Sequence, residues 1–240
     1  MDEETFRISD AAKMLGITAQ TLRNWEKSGR LLPSRSEGGQ RYYALPDLKR
    51  FALDLEMLGW SWAASEQVPE ISDEHLCDRQ DRFTSRLTKM SALLLNSGIA
   101  EDLASLLTLV AGEIGDNSFA HNGGNWPDVP GIFYAYDVDK RLIVLADRGR
   151  GVRATLRQVR PELETDTDAL LVAFTEVVSG RSPEKRGNGL KVVRSVAEKS
   201  EIGLSYRSGL GIVEIPKGPG VMHIEMAEEN VRGTYAVITY

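Results

Sequence analysis

The segment Leu109-Val-Ala-Gly-Glu-Ile-Gly-Asp-Asn-Ser-Phe-Ala-His121 is the most informative part of this sequence. Its spacing predicts one helix, on which Glu113, Asn117 and His121 occupy positions i, i+4 and i+8 and therefore share one face. A carboxylate, a carboxamide and an imidazole in such a row can orient a water molecule, hold a magnesium ion and steady a phosphate. A solvated polar stripe on a surface helix has the same spacing, so the three residues alone leave both interpretations open.

Two glycine-containing segments follow this helix. Leu142-Ile-Val-Leu-Ala-Asp147 predicts an apolar strand ending in a carboxylate, and Gly149 and Gly151 then allow a tight turn. Lys185-Arg-Gly187-Asn-Gly189-Leu190 leads directly into a helical pattern that starts at Lys191. Glycines that open a helix expose N–H groups at its positive dipole end, which suits a polyphosphate. Either glycine pair alone is typical of an ordinary turn, whereas the ordered set of three segments is more specific.

In this order the three segments resemble the GHKL nucleotide-binding superfamily, which includes gyrase-type ATPases, heat-shock chaperone ATPases, histidine kinases and anti-sigma kinases. The resemblance covers roughly residues 80–240. It implies a Bergerat-type α/β sandwich, with a mixed, mainly antiparallel sheet and helices on one face. It also implies that ATP and Mg²⁺ are held between the helices, under a lid that runs from Val152 to Arg186.

The resemblance assigns a role to each matching residue. Asn117 corresponds to the residue that coordinates magnesium, Asp147 to the carboxylate that accepts a hydrogen bond from the adenine amino group, and Glu113 to the general base. We expect His121 to contact phosphate or to brace its helix. A late lysine motif for the γ-phosphate is not found, so we expect any hydrolysis to be slow. The remaining positions implied to contact ATP are Gly149, Gly151, Val152, Gly187, Asn188, Gly189, Leu190 and Thr234.

The composition is that of a globular protein. With 240 residues and 42% hydrophobic content, the chain can build one large core or two modest ones. The single Cys77 excludes an internal disulfide, and one cysteine with three histidines does not make a zinc cluster. No apolar run approaches the length that spans a bilayer, and the acidic start Met1-Asp-Glu-Glu4 is unlike a signal peptide. We therefore expect a soluble, cytoplasmic protein without membrane contacts.

Charge is distributed unevenly along the chain. The formal net charge of the whole chain is −6, yet residues 5–53 carry nine lysines and arginines against four acidic residues. The rest of the chain is therefore strongly acidic. A basic head on an acidic body predicts that nucleic acid binds to the head alone.

The head begins with a pattern of two short helices. Ser9 and Thr18 are good N-caps, and Gly16 and Gly29 end the helices that they start. Two short helices joined by a tight turn form a helix-turn-helix unit, and we expect Leu15, Ile17 and Leu22 to pack inside it. Four residues of the second helix are predicted to face a DNA groove: Gln20, Thr21, Arg23 and Asn24.

A wing follows the two helices. The segment Leu31–Tyr43 predicts two short extended arms around Gly38-Gly39, and a third helix is expected from Asp47 to Leu58. Arginine and tyrosine are frequent in the wing, as in surfaces that contact phosphate. The wing residues predicted to contact DNA are Arg35, Arg41, Tyr42 and Tyr43.

The head resembles the mercury-resistance-regulator (MerR) family of winged helix-turn-helix proteins. The resemblance implies that the second helix enters the major groove of double-stranded DNA and that Arg41 and Tyr42 grip phosphate. A small helical domain that binds protein could use the same fold, but the wing arginine and the basic charge favour DNA. The matching segments are Ile8-Ser-Asp-Ala-Ala12, Thr21-Leu-Arg-Asn-Trp-Glu26, Gly29-Arg-Leu-Leu-Pro33, Gly39-Gln-Arg-Tyr-Tyr43 and Asp47-Leu48.

The sequence departs from that family after the head, because no sustained heptad pattern supplies a long dimerising coiled coil. An expected helix from about Glu74 to Leu95 could provide a homodimer contact, or it could be the first packed helix of the ATPase domain, which is the interpretation we prefer. We divide the chain into a winged helix-turn-helix domain (1–60), a linker (61–78) and an ATPase domain (79–240). The predicted fold class is accordingly α+β.

Together these features predict a DNA-binding transcriptional regulator in which ATP orders a lid and so acts as a switch. The alternative is an enzyme: a serine/threonine protein kinase similar to the anti-sigma factors, or an ATPase tethered to DNA. Glu113 would then act as base, and a hydroxyl of a protein partner would accept the phosphate. A histidine kinase is disfavoured, because His75 lacks the arginine and proline pattern of a phosphoacceptor helix.

Overall fold

The computed structural model describes residues 4–15, 19–27, 29, 31–36, 38–51, 54–177 and 189–240. Within these ranges, a small N-terminal module precedes a larger body built on an antiparallel sheet. The structure is therefore of the α+β class. In the same ranges, no helix combines the length and the apolar character needed to cross a membrane.

The N-terminal module, called the head below, has two short helices followed by a wing. Its small sheet is antiparallel, with the strand order β1-β3-β2. Gly39 takes a left-handed conformation (φ +76°) in the turn between the two wing strands, where glycine meets no steric penalty. The elements are β1 (Thr5–Arg7), α1 (Ile8–Met14), α2 (Ala19–Lys27), β2 (Ser34–Arg35), β3 (Arg41–Ala44) and α3 (Leu45–Phe51).

Apolar spacing explains how the head packs. On α2, Leu22 and Trp25 lie three residues apart and are both buried, so they form one apolar face. Leu15 is also buried, which confirms the predicted internal packing of Leu15 and Leu22. Ile17, the third residue predicted there, lies outside the described residues.

The expected third helix, from Asp47 to Leu58, is wrong in its extent. The helix α3 ends at Phe51, and a new helix, α4 (Leu55–Ala64), starts after Asp54. The Asp54 carboxylate accepts a hydrogen bond from the Met57 N–H at 2.8 Å and so caps α4. The apolar pattern runs through this cap, which is why the sequence suggested one helix. As a consequence, α4 crosses the domain boundary expected at residue 60.

The body is built on a five-stranded sheet with the order β4-β5-β6-β8-β7, in which all the described strand pairs are antiparallel. Its strands are β4 (Leu76–Cys77), β5 (Ile132–Asp137), β6 (Leu142–Asp147), β7 (Gly203–Ile215) and β8 (His223–Thr239). Its helices, after α4, are α5 (Gln80–Asn96), α6 (Glu101–Asn122), α7 (Gly151–Leu156), α8 (Asp166–Thr175) and α9 (Gly189–Ala197).

Helices cover both faces of this sheet, which corrects the expectation of helices on one face. On one face, residues of α5, α6, α8 and α9 pack with Tyr134 and Leu145 in the main core. On the other face, residues of α4 join a second core with Phe133 and Val144. Strands β5 and β6 carry apolar side chains on both sides, so each face requires a cover. Gly59 lets α4 approach closely, since a Cβ there would lie 2.6 Å from Val144 Cγ1.

The α5 helix packs inside the body, as preferred above. Phe83, Met90 and Leu94 on this helix are buried in the main core, so its apolar stripe is used for packing. The described part of the predicted lid is also packed. It forms α7 and α8, and Leu170 and Phe174 of α8 are completely buried.

Candidate functional site

A buried carboxylate lies at the end of β6. One oxygen of Asp147, Oδ2, accepts hydrogen bonds from Ser118 Oγ at 2.7 Å and Thr234 Oγ1 at 2.5 Å. The other oxygen, Oδ1, accepts from the Gly149 N–H at 2.7 Å. The structure thus brings Thr234 of β8 to Asp147 and Gly149, which lie two residues apart at the end of β6. Ser118 is not among the predicted site residues, because only the contact between α6 and the end of β6 gives it this role.

The environment of Asp147 changes its acidity. Burial raises the pKa of this carboxyl above its ordinary value, and the hydrogen bonds from Thr234, Ser118 and the Gly149 N–H partly offset that increase. A carboxyl group that is desolvated yet well supplied with donors is uncommon outside functional sites. This makes Asp147 the centre of the candidate site.

Gly149 and Gly233 permit close approaches within the chain. A Cβ at Gly149 would lie 2.1 Å from Asn122 Nδ2, and one at Gly233 would lie 2.0 Å from Asp147 Oδ1. The Asn122 side chain, which sequence analysis also missed, accepts from the Arg150 N–H at 3.0 Å and donates to Ser118 O at 2.9 Å. Packing against α6 and β8 is therefore one physical reason for these glycines.

The turn after β6 is fixed by a hydroxyl on β7. Gly151 has φ +76°, and the next residue, Val152, donates its N–H to Ser208 Oγ at 2.9 Å. Ser208 in turn donates to Gly233 O at 2.9 Å. The structure thus places Gly151 and Val152 beside the strand that carries Thr234. Val152 is partly buried against the main core.

The second part of the candidate site lies where α9 begins beside α6. A Cβ at Gly189 would lie 2.7 Å from Glu113 Oε2 and 3.0 Å from Asn117 Nδ2. Glu113, Asn117 and His121 are all partly buried. The structure therefore brings Glu113 and Asn117 to the N-terminal end of α9, as the motif order suggested. Leu190 is buried in the main core, and Gly187 and Asn188 lie outside the described residues.

One side chain of this site is of a type that binds magnesium. Within the described ranges, no group of three or more His, Cys, Asp or Glu residues could hold a metal ion. Asn117 offers one carbonyl oxygen, a ligand type that Mg²⁺ accepts together with phosphate oxygens and water.

The exposed face of α2 presents a row of linked polar side chains. Gln20 Nε2 donates to Asn24 Oδ1 at 3.2 Å, and Arg23 Nη1 donates to Gln20 Oε1 at 3.2 Å. These three predicted DNA contacts share one surface. The side chain of Thr21 lies outside the described part of the structure.

The wing arginines are attached to α2. Arg35 and Arg41 form ion pairs with the two carboxylate oxygens of Glu26, at 2.5 and 2.6 Å. These two guanidinium groups lower the pKa of the Glu26 carboxyl. Tyr42 donates from its hydroxyl to Gln40 Oε1 at 3.2 Å. The wing is thereby held against the second helix of the unit.

The prediction that Tyr43 contacts DNA is wrong. The Tyr43 side chain is buried in the head core, together with Leu22 and Leu48. Successive side chains of a strand point to opposite faces, so Tyr42 and Tyr43 of β3 could not both face a ligand. The apolar residues around the wing select Tyr43 for the core.

Comparison with known proteins identifies the head. Residues 7–43 match the family described as MerR family regulatory protein, and they contain the two helices and the wing. These residues are therefore a MerR-family helix-turn-helix domain. The chain is also similar to the Type II methyltransferase M.Eco47II of Escherichia coli, with 38% identity over 52 residues. That similarity covers 21% of this chain and spans 12% of the length of the methyltransferase.

Proposed function

We propose that this protein is a DNA-binding transcriptional regulator whose body binds ATP with Mg²⁺ as a switch. The observation that carries the proposal is the buried Asp147, supplied with hydroxyl donors by Ser118 and Thr234. Asn117 precedes Ser118 on α6 and lies against the start of α9. A base-binding carboxylate and a phosphate-binding helix end are thus linked through one helix.

An adenine amino group would bind Asp147 in place of one of its present donors. A carboxylate has about four lone-pair positions. Those of Asp147 receive the hydroxyls of Ser118 and Thr234 and the N–H groups of Gly149 and Thr234. A hydroxyl can rotate away, so a ligand N–H can take its place. In a desolvated setting such a hydrogen bond discriminates strongly, because a ligand without the donor leaves a buried acceptor unpaired.

The start of α9 fits a phosphate. The first N–H groups of a helix lack intrahelical partners and lie at its positive dipole end, so they attract anions. Asn117 lies beside this end and would hold the magnesium ion that accompanies a phosphate. When bound, ATP supplies a γ-phosphate whose presence distinguishes two states of the protein.

The head supports the DNA part of the proposal. It is a MerR-family helix-turn-helix domain whose exposed α2 row carries Gln20, Arg23 and Asn24. A groove between the start of α1 and the wing is lined by Arg7, Ser9 and Arg41, among others. Arginine and hydroxyl side chains in such a groove can contact a DNA phosphate.

The proposal is tested by titrating the whole protein calorimetrically with ATP, with and without magnesium, and with a mixed-sequence DNA duplex. We expect magnesium-dependent ATP binding, salt-sensitive DNA binding, and a change in DNA affinity when ATP is present. Absence of ATP binding would remove the nucleotide part of the proposal and leave a DNA-binding protein.

A prediction for DNA binding concerns the wing. Arg41→Ala should weaken binding to duplexes of different sequence about equally and reduce the slope of log Kd against log salt by about 1. The physical reason is the loss of one phosphate-neutralising charge, together with the ion pair to Glu26. Fluorescence anisotropy at several salt concentrations measures both quantities. Arg157→Ala, at an exposed position of the body, is the matched control, and an unchanged slope in Arg41→Ala would count against the wing.

A second candidate function, a protein kinase or ATPase, is favoured by the position of Glu113. Its carboxylate oxygen lies beside the start of α9, where a terminal phosphate would lie. A carboxylate there can take the proton from an attacking water or from a serine or threonine hydroxyl.

Glu113→Gln distinguishes the two candidates. If Glu113 is a general base, the variant should bind ATP normally but lose about 100-fold or more of any phosphate release or transfer. Single-turnover assays with labelled ATP measure this loss, with Glu101→Gln on the same helix as control. Turnover equal to that of the wild type would remove Glu113 as base and leave the regulator as the working function.

A further inference from the structure

Two pairs of consecutive residues, one at the end of β6 and one in β8, serve opposite faces of the sheet. Asp147 of β6 and Thr234 of β8 are register partners, and their side chains meet on the face covered by α6. The next residues in the chain, Arg148 and Tyr235, direct their side chains to the opposite face, where α4 packs. This follows from the alternation of side chains along extended chain.

Arg148 holds the C-terminal end of α4. Its side chain is fully buried, and Nη1 donates to Trp62 O at 2.6 Å and to Ser65 O at 2.9 Å. Nη2 donates to Glu66 O at 3.2 Å and forms an ion pair with Asp128 at 2.7 Å. The last carbonyl groups of a helix lack intrahelical partners and attract a cation. Arg148 therefore supplies the cation and the donors that the last carbonyl groups of α4 require, and Asp128 neutralises its charge.

Tyr235 holds the N-terminal part of α4. Its hydroxyl donates to Glu56 O at 3.0 Å, and its ring packs edge-on against Trp60 at a centroid distance of 5.5 Å. The guanidinium group of Arg207, on β7, lies over the Trp60 ring, 4.9 Å from its centroid. Both ends of α4 are thus attached to residues that directly follow the donor–acceptor pair Asp147 and Thr234.

The same helix continues into the head core. Leu55 and Leu58 of α4 belong to one buried apolar cluster with Leu22 and Trp25 of the helix-turn-helix unit. The sheet residue Phe133 belongs to it as well. A displacement of α4 on the sheet would therefore change the packing of this shared cluster, because packed cores repack between discrete arrangements rather than deform continuously.

We infer that α4 couples the Asp147 site to the DNA-binding head, with Arg148 and Tyr235 as the positioning residues that transmit a change at Asp147 and Thr234. This inference rests on the proposed function, since it requires a ligand at Asp147. Coupling between two ligands is reciprocal, so DNA at the head must change the affinity for ATP by the same factor that ATP changes the affinity for DNA.

The experiment compares the wild type with Tyr235→Phe and Arg148→Lys. Tyr235→Phe keeps the ring and removes only the hydroxyl that bonds Glu56, and Arg148→Lys keeps the charge but cannot contact all its partners. Tyr134→Phe is the matched control, because its hydroxyl donates to Met90 Sδ, on α5 and away from α4. Each protein is titrated with a mixed-sequence duplex, with and without saturating MgATP, and hydrogen exchange of α4 amides is followed.

In the wild type and in Tyr134→Phe, MgATP should change the Kd for the duplex by about fivefold or more and alter the exchange of α4 amides. In Tyr235→Phe and Arg148→Lys that factor should fall below about twofold, while the Kd for ATP stays within about threefold of the wild-type value. If Tyr235 and Arg148 were merely structural, their substitution would lower stability without separating the effect of MgATP on DNA binding from the affinity for ATP. Should Arg148→Lys fail to fold, Tyr235→Phe alone carries the test.

The outcomes separate this inference from the proposed function. Failure of the wild type to bind ATP, or binding of ATP with no effect on the duplex, overturns the proposed switch itself. If MgATP changes the Kd for the duplex in the wild type, and this change persists in Tyr235→Phe and in folded Arg148→Lys, the role of α4 is overturned. The proposed switch itself then stands.

Discussion

Asp147→Asn is expected to weaken ATP binding by about 100-fold or more, without loss of the fold. The carboxamide retains the size of the carboxylate, and its carbonyl oxygen can still accept from the Gly149 N–H. Its NH₂ group, however, puts donors where Ser118 and Thr234 now donate to Asp147 Oδ2. The hydroxyls of Ser118 and Thr234 can rotate to accept from this NH₂ group. The N–H of a ligand, however, then faces a donor instead of an acceptor, so its hydrogen bond is lost and polar groups are left unpaired.

The same substitution should change how stability depends on pH. Burial raises the pKa of Asp147 in the folded protein above that in the unfolded chain, where the pKa is ordinary. As pH rises from the unfolded pKa through the folded one, the unfolded state loses its proton first, so this residue reduces the free energy of unfolding. The carboxamide of Asp147→Asn does not ionise, hence the free energy of unfolding of the variant should depend less on pH above about 4 than that of the wild type.

Chemical denaturation between pH 4 and 8 measures this dependence, and calorimetry with MgATP measures binding. Asp137→Asn, at the end of β5, is the matched control in the same sheet. The hydrogen bond described for the Asp137 side chain is a local one, donated by the Lys140 N–H. A variant at Asp147 that keeps wild-type affinity for ATP would contradict the assignment of the base-binding carboxylate.

Asn117→Ala is expected to abolish the part of ATP binding that depends on magnesium. The side chain lies against the start of α9, and the described residues near it supply no cluster of carboxylates that could hold the ion instead. Mg²⁺ loses a ligand and dehydrates reluctantly, so it should no longer bridge the protein and the phosphates.

Comparing ATP affinity in the presence of magnesium and of a chelator gives the size of this effect. Asn96→Ala, at the exposed end of α5, is the control. An equal gain in affinity on adding magnesium to Asn117→Ala and to the wild type would show that the ion, if bound, uses other ligands.

The motif helix and the strand that ends at Asp147 could be predicted because their signals are local. The helical spacing from Leu109 to His121 and the apolar run from Leu142 to Asp147 agree with the observed elements. Gly149 and Gly151 likewise lie where a tight turn was expected. Periodicity and turn chemistry act over a few residues, so one sequence is enough to recognise them.

The contacts that no local pattern announces were missed. Ser118, Asn122 and Arg148 become important only when α6, the end of β6 and α4 meet in space. The cap at Asp54 was overlooked because an apolar run continues through it, and Tyr43 was assigned to the wrong face because the aromatic pair suggested a binding surface. In each case tertiary packing decided between interpretations that the sequence allowed equally.

The placement of α4 on the second face of the sheet has a consequence for where the chain can be divided. By sequence this helix continues the head, but its residues Leu58 and Trp62 are buried with Phe133 and Val144 of the body. A chain cut near residue 60 would divide α4 and expose apolar surface on both sides of the cut, because Leu58 would be separated from Trp62, Phe133 and Val144. The folded unit of the body therefore has to include α4, and a fragment that starts at residue 61 would lack half of this helix.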